Sequence, residues 1–79
     1  MFYELIDVET ANVIRTYETE ADALAEVRAL LRANGPAYAE ALALGCEDKR
    51  GRGRLISERA DLAERALARE QTERNRLSA

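Results

Sequence analysis

From Thr19 to Pro36 the chain reads Thr-Glu-Ala-Asp-Ala-Leu-Ala-Glu-Val-Arg-Ala-Leu-Leu-Arg-Ala-Asn-Gly-Pro, and no other stretch restricts the fold as much. Thr19 can accept a hydrogen bond from an orphan amide at a helix start, and Asp22 lies where a capping box places its acid. Glu20 and Asp22 put negative charge at the positive end of the helix dipole. Gly35 suits a left-handed stop, and Pro36 cannot continue a helix. At 100° per residue, Leu24, Val27 and Leu31 form one stripe flanked by Ala23 and Leu30. Asp22, Glu26, Arg28, Ala29 and Arg32 fall on the other side. The spacing predicts a helix over about Glu20 to Asn34 whose apolar face another part of the chain must cover.

The cover comes from strands. Phe2 to Tyr17 reads as a β-hairpin, with Phe2, Tyr3, Ile6, Val8, Val13, Ile14 and Tyr17 as strand formers. The break falls at Glu9-Thr10-Ala11-Asn12, where Asn12 tolerates positive φ and Thr10 can bond its own backbone. Neither arm alternates cleanly: Phe2, Ile6 and Val8 share a side with Glu4, while Tyr3 and Leu5 share one with Asp7. The Phe2/Ile6/Val8 side, with Ile14 across from it, is expected to face the helix. A one-residue slip inverts that assignment.

Tyr38 to Leu44 holds strong helix formers, yet it also alternates large with small residues through Cys46. A strand over about Ala39 to Glu47 is the favoured reading; a short helix after Pro36 is the other. Asp48 to Arg54 is a loop, since two glycines in three residues break regular structure. Leu55-Ile56 can return as a strand. Ser57 then caps a second helix from about Glu58 to Arg69 or beyond, with Leu62, Ala63, Ala66 and Leu67 as its stripe. The stripe fails at Glu70, so residues 71–79 are expected to fray or be disordered.

The expected fold is therefore α+β, β-β-α-β-β-α, a small antiparallel sheet with two helices on one face, in a single domain over residues 1–70. Thr19-Glu20 before Leu24-Ala25-Glu26 matches Ser57-Glu58 before Leu62-Ala63-Glu64 at a constant offset. This suggests an internal ββα repeat, 1–36 and 37–70, although two capped amphipathic helices could agree by chance. A hairpin followed by a Thr-capped, Ala- and Glu-rich helix, here Val13 through Ala23, resembles the arm-type DNA-binding domains of phage integrases. Those domains carry a third strand before the helix and are usually basic. This chain departs on both counts, and no functional residue is carried over.

Composition narrows the chemistry. A chain of 79 residues buries only about 60% of its unfolded surface, so its core is thin. It has no histidine, no tryptophan and one cysteine. That removes the commonest metal ligand, the commonest general base and any internal disulfide. No catalytic residue, cofactor or metal is expected. Asp7, Glu9, Glu47 and Asp48 raise the idea of a carboxylate metal site, but solvated strand ends explain them better. Cys46 has no histidine to activate it, although Lys49 and Arg50 could lower its pKa; a small buried hydrophobe is the favoured reading. No apolar run reaches the ~20 residues of a membrane span, and Met1-Phe2-Tyr3-Glu4 lacks the basic start of a signal peptide. The expected location is the cytoplasm.

Two surface features remain. Lys49, Arg50, Arg52 and Arg54 put four cations on flexible backbone that could grip phosphates or an acidic surface. A solvated turn is the competing account, given Glu47-Asp48 alongside and a net charge of −3. Tyr3, Tyr38, Ala63 and Ala66 are candidate interface residues, being aromatic strand positions and the smooth face of the second helix. A small domain without disulfide or metal often gains stability by self-association. The functional expectation is a small non-enzymatic cytoplasmic protein-interaction module acting as a homodimer, as in a bacterial accessory or antitoxin-like protein. The alternative is a weak nucleic-acid backbone binder working through the basic loop 49–54.

Overall fold

The computed structural model describes residues 1–78. Its elements are β1 (Phe2–Asp7), β2 (Asn12–Tyr17), α1 (Glu20–Asn34), a 3₁₀ turn (Pro36–Ala41), β3 (Leu42–Glu47), β4 (Gly53–Glu58) and α2 (Arg59–Ser78). The β-β-α-β-β-α order holds. The four strands form one antiparallel sheet in the order β2-β1-β3-β4. At its centre Leu5 of β1 pairs with Leu44 of β3. Each hairpin carries one register shift, beside Leu5 in the first and beside Leu44 in the second. Such bulges add twist, which lets a small sheet wrap its helices.

Helix α1 begins as its sequence dictates. Thr19 accepts a hydrogen bond from the Asp22 amide at 3.1 Å. At the other end the Gly35 amide donates to the Leu31 carbonyl at 2.8 Å. Gly35 itself sits at φ 93°, ψ 157°, which is not the left-handed helical stop but a region open almost solely to glycine. A Cβ there meets nothing within 4 Å. Gly35→Ala therefore isolates backbone strain: a loss of about 1–3 kcal/mol in urea unfolding is expected, with unchanged helix content at low denaturant.

The core lies between sheet and helices. Leu5, Leu24, Leu42, Leu44, Leu62 and Val27 are fully buried, joined by Ala23 and Ala66. Each large side chain contributes about 1.5–3 kcal/mol by leaving water. Leu31 and Leu30 are only half-buried at its margin.

Several local expectations are corrected. Tyr3 and Leu5, not Phe2, Ile6 and Val8, face the helices; Phe2 remains 37% exposed. The slip arises because β1 is apolar on both sides. Positive φ in the first turn falls on Ala11, not Asn12, with Asp7 Oδ1 accepting from the Glu9 amide to hold the turn. The Ala39–Glu47 segment divides: Pro36 starts a 3₁₀ turn that buries Ala39, and the strand begins only at Leu42. Ser57 is not a cap, because β4 runs through Glu58 and Ser57 pairs with Leu44. The corner into α2 is made by Arg59 at φ 54°, and Arg59 pairs with Glu40 of the 3₁₀ turn at 3.7 Å.

Helix α2 does not stop where its apolar stripe fails; it continues to Ser78, so the expected fraying from Gln71 is replaced by helix, with Ala79 outside the described residues. Ion pairs substitute for apolar contacts there. Glu70 meets Arg32 at 2.8 Å and Arg74 at 3.6 Å, and Glu73 meets Arg69 at 3.4 Å. Arg65 Nε reaches Glu20 Oε1 at 2.6 Å, tying α2 to the first turn of α1. Arg28, expected on the solvent side, is instead 8% exposed and reaches from α1 to α2.

Candidate interaction surfaces

The tip of the β3–β4 hairpin is built by Asp48. Its Oδ1 accepts from the Arg50 amide at 2.8 Å and the Arg52 amide at 2.9 Å, while its own amide donates to the Arg52 carbonyl. Gly51 takes φ 79°, closing the turn. The carboxylate thus serves the backbone, and Lys49, Arg50 and Arg52 are exposed. Arg54 separates from them. It lies in β4 opposite Cys46, and its Nε donates to Cys46 Sγ at 3.3 Å. That contact holds the Arg54 guanidinium above its ordinary value. Cys46 is 5% exposed under this cover, as a small buried hydrophobe should be.

The carboxylates considered as metal ligands are not brought together. Phe2 is opposite Glu47 and Asp7 opposite Leu42, so Asp7 and Glu9 sit at one end of the sheet and Glu47 and Asp48 at the other. Five residues of strand separate them, about 17 Å at 3.4 Å per residue. Among the described residues no group of three or more metal-ligating side chains occurs.

The expected interface set Tyr3, Tyr38, Ala63 and Ala66 does not form an outward surface. Ala66 is fully buried, and its carbonyl accepts from Arg28 at 2.9 Å. Tyr3 and Tyr38 are half-buried against the core. Ala63 lines a groove of about 410 Å³ with Leu31, Pro36 and Leu67, bounded by Arg32 and Glu70. Tyr17 turns inward too; its hydroxyl is buried with no hydrogen-bond partner. Burial, and next the charge of Glu26, push its pKa up.

What the sequence reading missed is the second face of the sheet. Helices cover one side; the other carries Phe2, Val13 and Leu55, exposed at 37%, 49% and 58%, with Ile6 half-buried between them. The signal was present in the failure of β1 to alternate, because a strand apolar on both sides is built to be covered on both. Ala43 and Gly45 form a smooth floor beneath these side chains, and a Cβ on Gly45 would come within 3.2 Å of the Arg54 carbonyl. Beside this floor is a hollow of about 290 Å³ walled by Ile6 and Leu55, with Glu4, Glu47 and Arg54 at its margin. Glu4 and Glu47 are diagonal neighbours across β1 and β3. Their hydrogen bond, then burial, then the Glu47 charge, push the Glu4 carboxyl above the usual carboxylate range.

No helix among the described residues is long and apolar enough to cross a membrane. No protein-family model matches the chain, and neither the curated proteins nor the solved structures compared with it give a match.

Proposed function

We propose that this protein is a small interaction module that works as a homodimer, joined through the open face of its sheet. The observation that carries the reading is the apolar patch of Phe2, Val13 and Leu55, with Ile6 between them, on a sheet whose opposite side is already filled by helices. Scattered apolar residues on a surface mean little, but Phe2, Ile6, Val13 and Leu55 share the one sheet face that no helix covers, which leaves a layer unfilled.

Area favours a second copy as the occupant. Four strands spaced at ~4.8 Å and six residues long make a face of roughly 19 by 20 Å, about 380 Å² in projection, which places the contact at the small end of specific interfaces. The accessible surface is 5385 Å², against about 4,800 Å² expected for a compact monomer of 8.8 kDa. Two sheets packed face to face at ~10 Å would give a four-layer assembly, helices outside and both sheets inside. No catalytic role enters this reading: it assigns the chain to binding.

Sedimentation equilibrium from about 1 to 200 µM tests it, a range chosen because association depends on protomer concentration. A shift from monomer toward twice the monomer mass supports the proposal. A monomer mass throughout overturns it.

The acid pair adds a pH dependence. Glu4 is raised in the folded chain, so its favourable contribution is complete below about 4.5 and is lost as pH rises through the raised folded value. Burying the pair under a second sheet strengthens the preference for one shared proton. Association should therefore be tighter at pH 5 than at pH 8, and Glu47→Gln should strengthen it at pH 8 and flatten the dependence. Equal dissociation constants at both pH values for the unaltered chain would contradict this.

A further inference from the structure

We infer that the β3–β4 hairpin tip is a phosphate-backbone contact, with Lys49, Arg50 and Arg52 as its three cations and nucleic acid as the ligand. The inference is independent of self-association. It starts from how the positive charge is used. Arg28, Arg32, Arg59, Arg65, Arg69 and Arg74 all lie within 4 Å of a carboxylate. Among the described residues, no such pair involves Lys49, Arg50 or Arg52. The chain is acidic overall, with 15 carboxylates to 12 cations, yet these three adjacent cations remain free.

Geometry adds a second point. Of the two carboxylates at the turn, Asp48 has its Oδ1 committed to the Arg50 and Arg52 amides, and Glu47 lies against Gly51. That fixes the backbone and leaves the three long side chains to reach outward around a hollow of about 400 Å³. A pre-set turn loses less entropy on binding than a flexible basic tail. Residues 49–54 contain no aromatic side chain for base stacking, and the apolar side chain bordering the hollow is that of Met1 alone. The contact should therefore read backbone charge without sequence, and duplex or single strand alike.

The probe is a fluorescein-labelled mixed-sequence duplex of about 20 base pairs, followed by anisotropy with the full chain across a salt series. Three phosphate contacts give a slope of about −2.7 in log K against log salt, or about a 40-fold loss of affinity between 50 and 200 mM. A triple variant, Lys49→Ala with Arg50→Ala and Arg52→Ala, should abolish the shift while its circular dichroism matches the parent. Arg15→Ala, another unpaired cation far along the sheet, should leave it intact. Absence of any shift at about 50 mM salt overturns the inference, as does undiminished binding by the triple variant. Binding to phosphatidylserine vesicles without binding to the duplex also overturns it, and assigns the tip to a membrane surface instead.

Discussion

Leu55→Asp is expected to leave a folded monomer that no longer self-associates, its dimer dissociation constant raised at least about 100-fold, or about 2.7 kcal/mol. Leu55 is 58% exposed in the single chain, so a carboxylate there stays hydrated and costs the monomer little. Under a second sheet the same carboxylate would be stripped of water beside the existing Glu4–Glu47 pair. Burying an unpaired charge is among the most expensive substitutions available to an interface. Val13→Asp, on the edge strand β2 of the same face, should act in the same direction. Leu77→Asp is the control, because Leu77 is 87% exposed at the projecting end of α2 and lies apart from the sheet. Sedimentation equilibrium reads all three. Association unchanged by Leu55→Asp and Val13→Asp would remove the open face as the contact surface, whatever mass the unaltered chain shows.

The elements that could be read from the sequence are those whose signals are local. Thr19, Gly35 and Pro36 delimit α1 within a residue of its observed bounds, because caps and breakers act on the backbone beside them. The two hairpins and the order of elements follow from the same kind of signal. The failures occur where two demands coincide on one residue. β1 is apolar on both sides, so its pattern could not say which side meets the helices. Arg28 lies only about 40° round from Leu24 on a helical wheel, close enough to share its buried stripe, but its charge placed it outside. Pro36–Ala41 is rich in helix formers and adjoins a strand, and the structure uses both tendencies in turn. The extension of α2 rests on Glu70 and Glu73 meeting arginines of α1, contacts about 40 residues distant that no window along the chain contains. The hairpin cations were visible individually, but the return of Arg54 onto Cys46 depends on strand register.

Arg28→Ala should be among the most damaging single changes outside the apolar core, costing about 3 kcal/mol in urea unfolding at neutral pH. The side chain is 8% exposed. One terminal nitrogen donates to the Ala66 carbonyl at 2.9 Å, Nε lies 3.5 Å from Glu70 Oε2, and the other nitrogen lies 3.6 Å from Glu73 Oε2. Alanine removes all three contacts and leaves a cavity where the two helices meet. Against a total stability of roughly 4–12 kcal/mol for a domain this small, that is a large fraction. Arg28→Met separates the causes. Methionine fills most of the same space with an unbranched apolar chain, and it strands no carboxylate. Glu70 keeps Arg32 and Arg74, and Glu73 keeps Arg69. If packing between α1 and α2 is what Arg28 supplies, methionine should lose under about 1.5 kcal/mol while alanine loses about twice that or more. If the ion pairs supply it, the two variants should fall together. Helicity near 222 nm gives the independent readout: if Arg28 anchors the end of α2 by packing, only alanine should lower the signal in the folded baseline, and if it does so by its pairs with Glu70 and Glu73, alanine and methionine should lower it alike.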